Sequence, residues 1–193
     1  MDAPERLVYT GNDEADRLLA RDPLALLIGF ALDQQVPLQK AFGGPLELQR
    51  RLGEPLDATR IATMDPGALE RTFADRPALH RFPGAMASRV RALCTTIADT
   101  YGGDPARIWL EATDGPDLRA RLLALPGIGE MKADTIVAVL ARRFGLALPG
   151  IEAVLPAHPT LGDVDSPEAL AAYQAGKRAA KAALRAGGSP GRH

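Results

Sequence analysis

The chain has 193 residues, with 23 Lys and Arg against 24 Asp and Glu, 46% hydrophobic and 5% aromatic residues. That size and balance suit one globular domain, or one domain in two lobes, and argue against wholesale disorder. A single cysteine, Cys94, excludes an internal disulfide, a four-cysteine zinc site and a four-cysteine iron–sulfur cluster.

The longest apolar stretch, Leu24 to Leu32, falls far short of the roughly 20 residues of a membrane span. The opening Met-Asp-Ala-Pro-Glu carries acid where a signal peptide carries base. The expectation is a soluble, cytoplasmic monomer with no membrane contact and no evident obligate protein partner. The formal net charge of −1 argues against a general polyanion binder, yet it hides asymmetry. The run His80 to Arg91 holds Arg81, Arg89 and Arg91 and no acid. From Pro167 onward, Lys177, Arg178, Lys181, Arg185 and Arg192 stand against Glu168 alone. Either patch alone also reads as an ordinary solvated helix face.

In chain order, the pattern predicts helices almost everywhere. A short opening helix spans Asp13–Ala20, and a helix apolar nearly all round, hence buried, spans Leu24–Gln35. Leu38–Phe42 is expected to stop at Gly43-Gly44, and Pro45–Leu52 at Gly53. Two short helices follow at Asp57–Thr63 and from Asp65-Pro66 to Phe73, the latter with an N-cap and a first-turn proline. Ala85–Tyr101 is longer, with Val90, Leu93, Cys94, Ile97 and Tyr101 at core-facing spacing. Pro116–Ala124 and Glu130–Phe144 come next, and Ser166-Pro167 opens a last helix to about Ala186, with a frayed end from Gly187 to His193. Runs of β-branched and aromatic residues are missing. The expected class is all-α, built from about ten short helices. Leu146–Asp165 breaks the pattern with its prolines and glycines; a long linker of this kind either crosses between lobes or lines a site.

The most informative stretch is Leu123 to Gly145, where one helix runs through Leu125-Pro126-Gly127-Ile128-Gly129 straight into another. Two glycines let the backbone turn tightly and let a partner approach its N–H groups. Those groups open the next helix, where unpaired donors and the dipole favour an anion such as phosphate. Ala133 is small enough for close helix packing, and Leu125 and Ile128 can pin the turn to the core. The string resembles the helix-hairpin-helix DNA-binding motif, LPGxGxxxA.

Upstream lies Leu26-Leu27-Ile28-Gly29-Phe30-Ala31-Leu32-Asp33-Gln34-Gln35-Val36. It resembles the buried helix and LxxQ turn of the helix-hairpin-helix DNA glycosylases (the endonuclease III and 3-methyladenine glycosylase II superfamily). Arg81-Phe82-Pro83-Gly84-Ala85-Met86-Ala87 and the long helix behind it parallel another segment of that family, so the resemblance runs from about Ala25 to Gly145. It implies two helical lobes: a barrel over 25–141 that includes the hairpin at 118–141, and a second lobe from 1–24 plus 142–193. Double-stranded DNA would lie in the groove between them, and a bacterial protein would be nucleoid-associated. The resemblance makes Gln34, with Gln35 beside it, the plug that fills the gap left by an extruded base. Gly127, Ile128, Gly129, Met131 and Lys132 would meet the DNA. The backbone carbonyls of Leu123, Leu125 and Ile128 would hold a potassium or sodium ion. Without the hairpin, Gln34-Gln35 would read as a helix-end cap.

Base flipping needs a plug, a phosphate grip and a pocket. Hydrolysis needs in addition a carboxylate that stabilises an oxocarbenium ion and positions water. Members that also cut the strand place a Lys two residues before the small alanine, and here that position is Met131. Lys132, about 100° further round the helix, reads as a phosphate contact, so imine chemistry is not expected and no cofactor is required. Three acids compete as the carboxylate. Asp163 and Asp165 approach the last helix, Asp165 within the family-like Val164-Asp165-Ser166, whereas Glu152 lies nearer the family spacing; the Asp pair is favoured. Asp33, beside the plug, ranks fourth. The alternatives to a monofunctional glycosylase are a non-catalytic binder of damaged or distorted DNA and a helical adaptor without DNA affinity.

Overall fold

The computed structural model describes residues 2–187, without the side chains of 181 and 184–187. Arg192, the end beyond Gly187 and the side chains of Lys181 and Arg185 therefore lie outside the described residues. Ten α-helices and no strand occur among those described. They are α1 (Asp13–Arg21), α2 (Pro23–Leu32), α3 (Leu38–Leu52), α4 (Ala58–Thr63), α5 (Pro66–Ala74), α6 (Pro83–Tyr101), α7 (Arg107–Leu110), α8 (Gly115–Leu123), α9 (Glu130–Arg143) and α10 (Pro167–Gly187). None is long and apolar enough to cross a membrane.

Side-chain caps start most of these helices by taking up donors that a first turn leaves free. Asn12 accepts from the Ala15 N–H at 3.1 Å, and Asp22 accepts from Leu24 and Ala25 at 2.8 and 3.2 Å. Asp57, Asp65, Asp114 and Ser166 cap α4, α5, α8 and α10 in the same way.

Helix α2 is buried over every residue from Leu24 to Leu32, as its all-round apolarity predicts. It ends at Leu32, so Gln34 and Gln35 stand in the turn beyond it and not on the helix. The expected break at Gly43-Gly44 is absent, because α3 runs unbroken through Pro45. Gly44 serves packing: a Cβ there would stand 2.6 Å from Leu32 Cδ1. Gly29 does the same on α2, where a Cβ would meet the Phe42 ring at 2.7 Å. The two helices thus close on each other around an edge-to-face chain of Tyr9, Phe42 and Phe30, with centroids 5.3 and 5.0 Å apart. Burial of Phe42, Leu46 and Leu48 on the same helix offsets the donor lost at Pro45.

Helices α4 and α5 pack on α6, and α8 on α9. Helix α7, which the pattern does not reveal, buries Ile108 and Trp109 in four residues. The irregular stretch after α9 contains 3-10 turns at Ile151–Val154 and Leu161–Asp163. The N-terminal segment lies against it: the Asp2 N–H donates to the Phe144 carbonyl at 2.9 Å, and the Tyr9 hydroxyl to the Leu161 carbonyl at 2.8 Å. Burial pushes the Tyr9 hydroxyl pKa far up and the Cys94 thiol to about 12, so both stay protonated.

The turn at 161–163 lies flat on α9, where a Cβ on Gly162 would stand 2.6 Å from the carbonyl carbon and oxygen of Ala138. Backbone cannot yield as a flexible side chain can. Gly162→Ala is expected to cost roughly 1–3 kcal/mol, read as a lower denaturation midpoint with an unchanged slope.

Candidate functional site

Three segments distant in sequence converge on one cleft. The first is the turn after α2. His80, buried behind it, accepts the Phe82 N–H at Nδ1 (3.1 Å), which leaves Nε2–H to donate to the Gln34 carbonyl at 3.0 Å. Burial holds the His80 pKa below its ordinary value, so the neutral ring persists at pH 7. Gln35 adopts a φ of +55°, a left-handed conformation unusual for a side chain other than Gly, Asn or Asp. The Gln34 carbonyl is thereby fixed, while its side chain is exposed.

The second segment is the hairpin between α8 and α9. Leu125 and Ile128 are buried and anchor it, and the Ile128 N–H donates to the Leu125 carbonyl at 3.1 Å. Ala133 is fully buried, and Arg119 on α8 pairs with Asp134 on α9 at 2.6 Å. Gly127 turns with a φ of +86°. Gly129 precedes α9 in extended backbone, with no side-chain cap and open space where a Cβ would go. The Glu130 and Met131 N–H groups therefore keep their donor capacity, whereas the Lys132 N–H donates to the Gly129 carbonyl at 3.0 Å.

The third segment is α6, through Arg89. Its stem lies in the space Gly127 leaves open: a Cβ on Gly127 would meet Arg89 Cδ at 2.6 Å and Cγ at 2.9 Å. Its Nη1 donates to the Gln34 side-chain oxygen. Because a guanidinium only donates, the Gln34 amide NH2 is left for another partner. Asp33, Gln34, Arg89, Gly127, Ile128, Gly129 and Lys132 line the resulting cleft, about 370 Å³ in volume.

Lys132 lines the cleft but is tied to the turn. Its ammonium folds back to the Gly127 carbonyl at 3.2 Å and is half-buried, and burial lowers its pKa while Asp33 opposes the shift. Met131 is 77% exposed and does not line the cleft. Asp33 does line it; burial raises its carboxyl pKa, opposed by the charges of Lys177 on α10 and Lys132 on α9.

The three competing acids lie elsewhere. Asp163 accepts from the Thr160 N–H at 2.7 Å in a capping box and pairs with Arg142 at 2.5 Å. Asp165, just before α10, and Glu152, on the turn at 151–154, are both exposed. None of the three borders the cleft that holds Gln34. At the hairpin, none of the backbone turn bonds ends on the Leu123 or Ile128 carbonyl, whereas Leu125's accepts Ile128. Those free oxygens are hard neutral donors of the kind a monovalent cation takes.

Two residues of the cleft escaped the sequence reading as site residues or were ranked low: Arg89 and Asp33. The acid-free run around Arg89 was the available signal. The glycines also prove unequal. Gly127→Ala is expected to cost about 1–2 kcal/mol for left-handed backbone and to displace Arg89, whereas Gly129→Ala should leave the denaturation midpoint unchanged. Equal midpoints for both variants would refute this geometry. No family model, curated protein or solved structure matches the chain.

Proposed function

We propose that the chain is a monofunctional DNA glycosylase that binds duplex DNA, extrudes a damaged or mispaired base and hydrolyses its N-glycosidic bond. The observation that carries this reading is the meeting of Gln34 and the hairpin, about ninety residues apart in sequence, across one cleft. The donors at the start of α9 and the cations Arg89 and Lys177 suit a phosphate backbone. The Gln34 amide, its oxygen held by Arg89, can offer its NH2 to an estranged base. The barrel and second lobe at the expected boundaries belong to the same proposal. The carbonyls of Leu123, Leu125 and Ile128 would hold a potassium or sodium ion, which would brace the turn against the phosphate.

A non-catalytic binder of distorted DNA is the second reading, favoured by one observation: Asp163 is already committed to Thr160 and Arg142. A release assay separates the two. Duplexes carrying uracil, hypoxanthine, 8-oxoguanine, alkylated purines or adenine opposite 8-oxoguanine should yield free base from at least one. Binding without release from any of them leaves the binder.

Affinity should be weak at physiological salt and fall steeply as salt rises. Gly129→Leu should weaken it while leaving the fold intact, because the added side chain meets only the incoming ligand; unchanged affinity would remove the hairpin from the interface. Borohydride should trap no covalent protein–DNA adduct, since Met131 has no amine and the Lys132 ammonium is bonded to Gly127. A trapped adduct would refute the monofunctional reading.

A further inference from the structure

We propose that Asp33 is the carboxylate that carries hydrolysis, a role that rests on the glycosylase reading above. It is the acid that lines the cleft, immediately before Gln34 in the chain. A nucleotide extruded beside Gln34 would enter a cleft whose lining includes Asp33.

Acids elsewhere in the molecule have structural work. Asp16, Asp22, Asp57, Asp65, Asp114 and Asp163 each accept backbone N–H bonds that stabilise a turn or a helix start. The Asp33 carboxylate accepts no hydrogen bond among the described residues, although the residue is partly buried. Desolvation raises its pKa, so the ionised form is held there at some cost. A group kept at that cost, in a cleft and aimed at no structural task, is a functional candidate.

Its position is also fixed. Asp33 terminates α2, its N–H bonded to the Gly29 and Phe30 carbonyls at 3.1 and 3.2 Å. The next carbonyl is held by His80. Lys132 from α9 and Lys177 from α10 supply positive charge that favours the ionised carboxylate against burial, and Arg89 lines the same cleft.

In the step this permits, the bond between the sugar's anomeric carbon and the base nitrogen breaks, and its electron pair leaves with the base. The Asp33 carboxylate offsets the positive charge that develops on the sugar. A water oxygen bonds to the anomeric carbon as its proton passes to Asp33, which returns that proton to the departed base or to solvent. The products are a free base and an abasic sugar hydroxyl, with one water consumed and no oxidant or reductant required.

The test uses the duplex from which the wild-type chain releases base, with single-turnover rate, duplex affinity and denaturation midpoint measured for each variant. Asp33→Asn should lower the rate on the order of 100- to 1000-fold. Its affinity should be equal or tighter, because a negative charge near phosphates is lost. Asp33→Ser should behave likewise, and Asp33→Glu should recover part of the rate, which a purely structural role would not produce. Either carboxylate-free variant releasing base at the wild-type rate, folded and binding normally, would overturn the assignment and leave the glycosylase reading standing. So would loss of release in Asp165→Asn or Glu152→Gln beside a fully active Asp33→Asn. A wild-type chain that releases no base from any duplex of the panel overturns the reading and this assignment together.

Discussion

The candidate site depends on one void. Gly127 has no side chain, and the stem of Arg89 occupies the space a side chain would need. That single fit joins α6 to the hairpin, and the guanidinium extends the joint to the turn after α2 by bonding Gln34. The hydrogen bond itself is exposed and contributes little to stability, as exposed polar pairs generally do. The packed methylene stem is the stronger part of the contact. A glycine in a hairpin is ordinarily understood as room for a ligand. Here one of the two makes room for the protein's own arginine, and only Gly129 faces open space.

Electrostatics follow from which arginines remain uncommitted. Arg17, Arg50, Arg51, Arg60, Arg107, Arg119, Arg121 and Arg142 are paired with carboxylates on or near the surface. These pairs cancel locally and do little for stability at moderate salt. Arg89 and Lys132 at the cleft, with Lys177 near Asp33, have no carboxylate partner within ion-pairing distance among the described residues. A net charge of −1 is thus compatible with a cleft of positive potential. Composition averages over the whole chain, whereas a polyanion would respond to the local field.

The helices were legible because their signals are local. Asp65-Pro66 and Ser166-Pro167 announce their starts, and the all-round apolarity of Leu24–Leu32 announces burial. What failed were features set by contacts between helices. Gly43-Gly44 has the composition of a stop, but Leu32 across the interface explains Gly44 better than any turn does. Helix α7 is too short for periodicity to register. Gln34 and the hairpin, which a motif names, do meet at one cleft, the candidate site. For Lys132, sequence gives the position on the helix but not the rotamer that folds it back to Gly127. Arg89 lay hidden because its role is defined by a space in a residue 38 positions away.

For the proposed glycosylase, the same geometry narrows the chemistry open to the hairpin. An amine attacks carbon only when unprotonated and free to move toward it. Met131 has no amine, and its side chain is largely in solvent. Burial of Lys132 favours the neutral amine, but Asp33 favours the charged form, and the bond to the Gly127 carbonyl must break before the side chain can reach outward. That carbonyl belongs to the turn whose shape accommodates Arg89, so releasing Lys132 would loosen the joint that holds Gln34 in place. Water suffers from no such conflict. It needs only a carboxylate beside the cleft, and Asp33 occupies that position with its oxygens unbonded. On the proposed reading Lys132 serves better as a fixed charge that, with Lys177, opposes the upward shift that burial imposes on Asp33 than as a nucleophile.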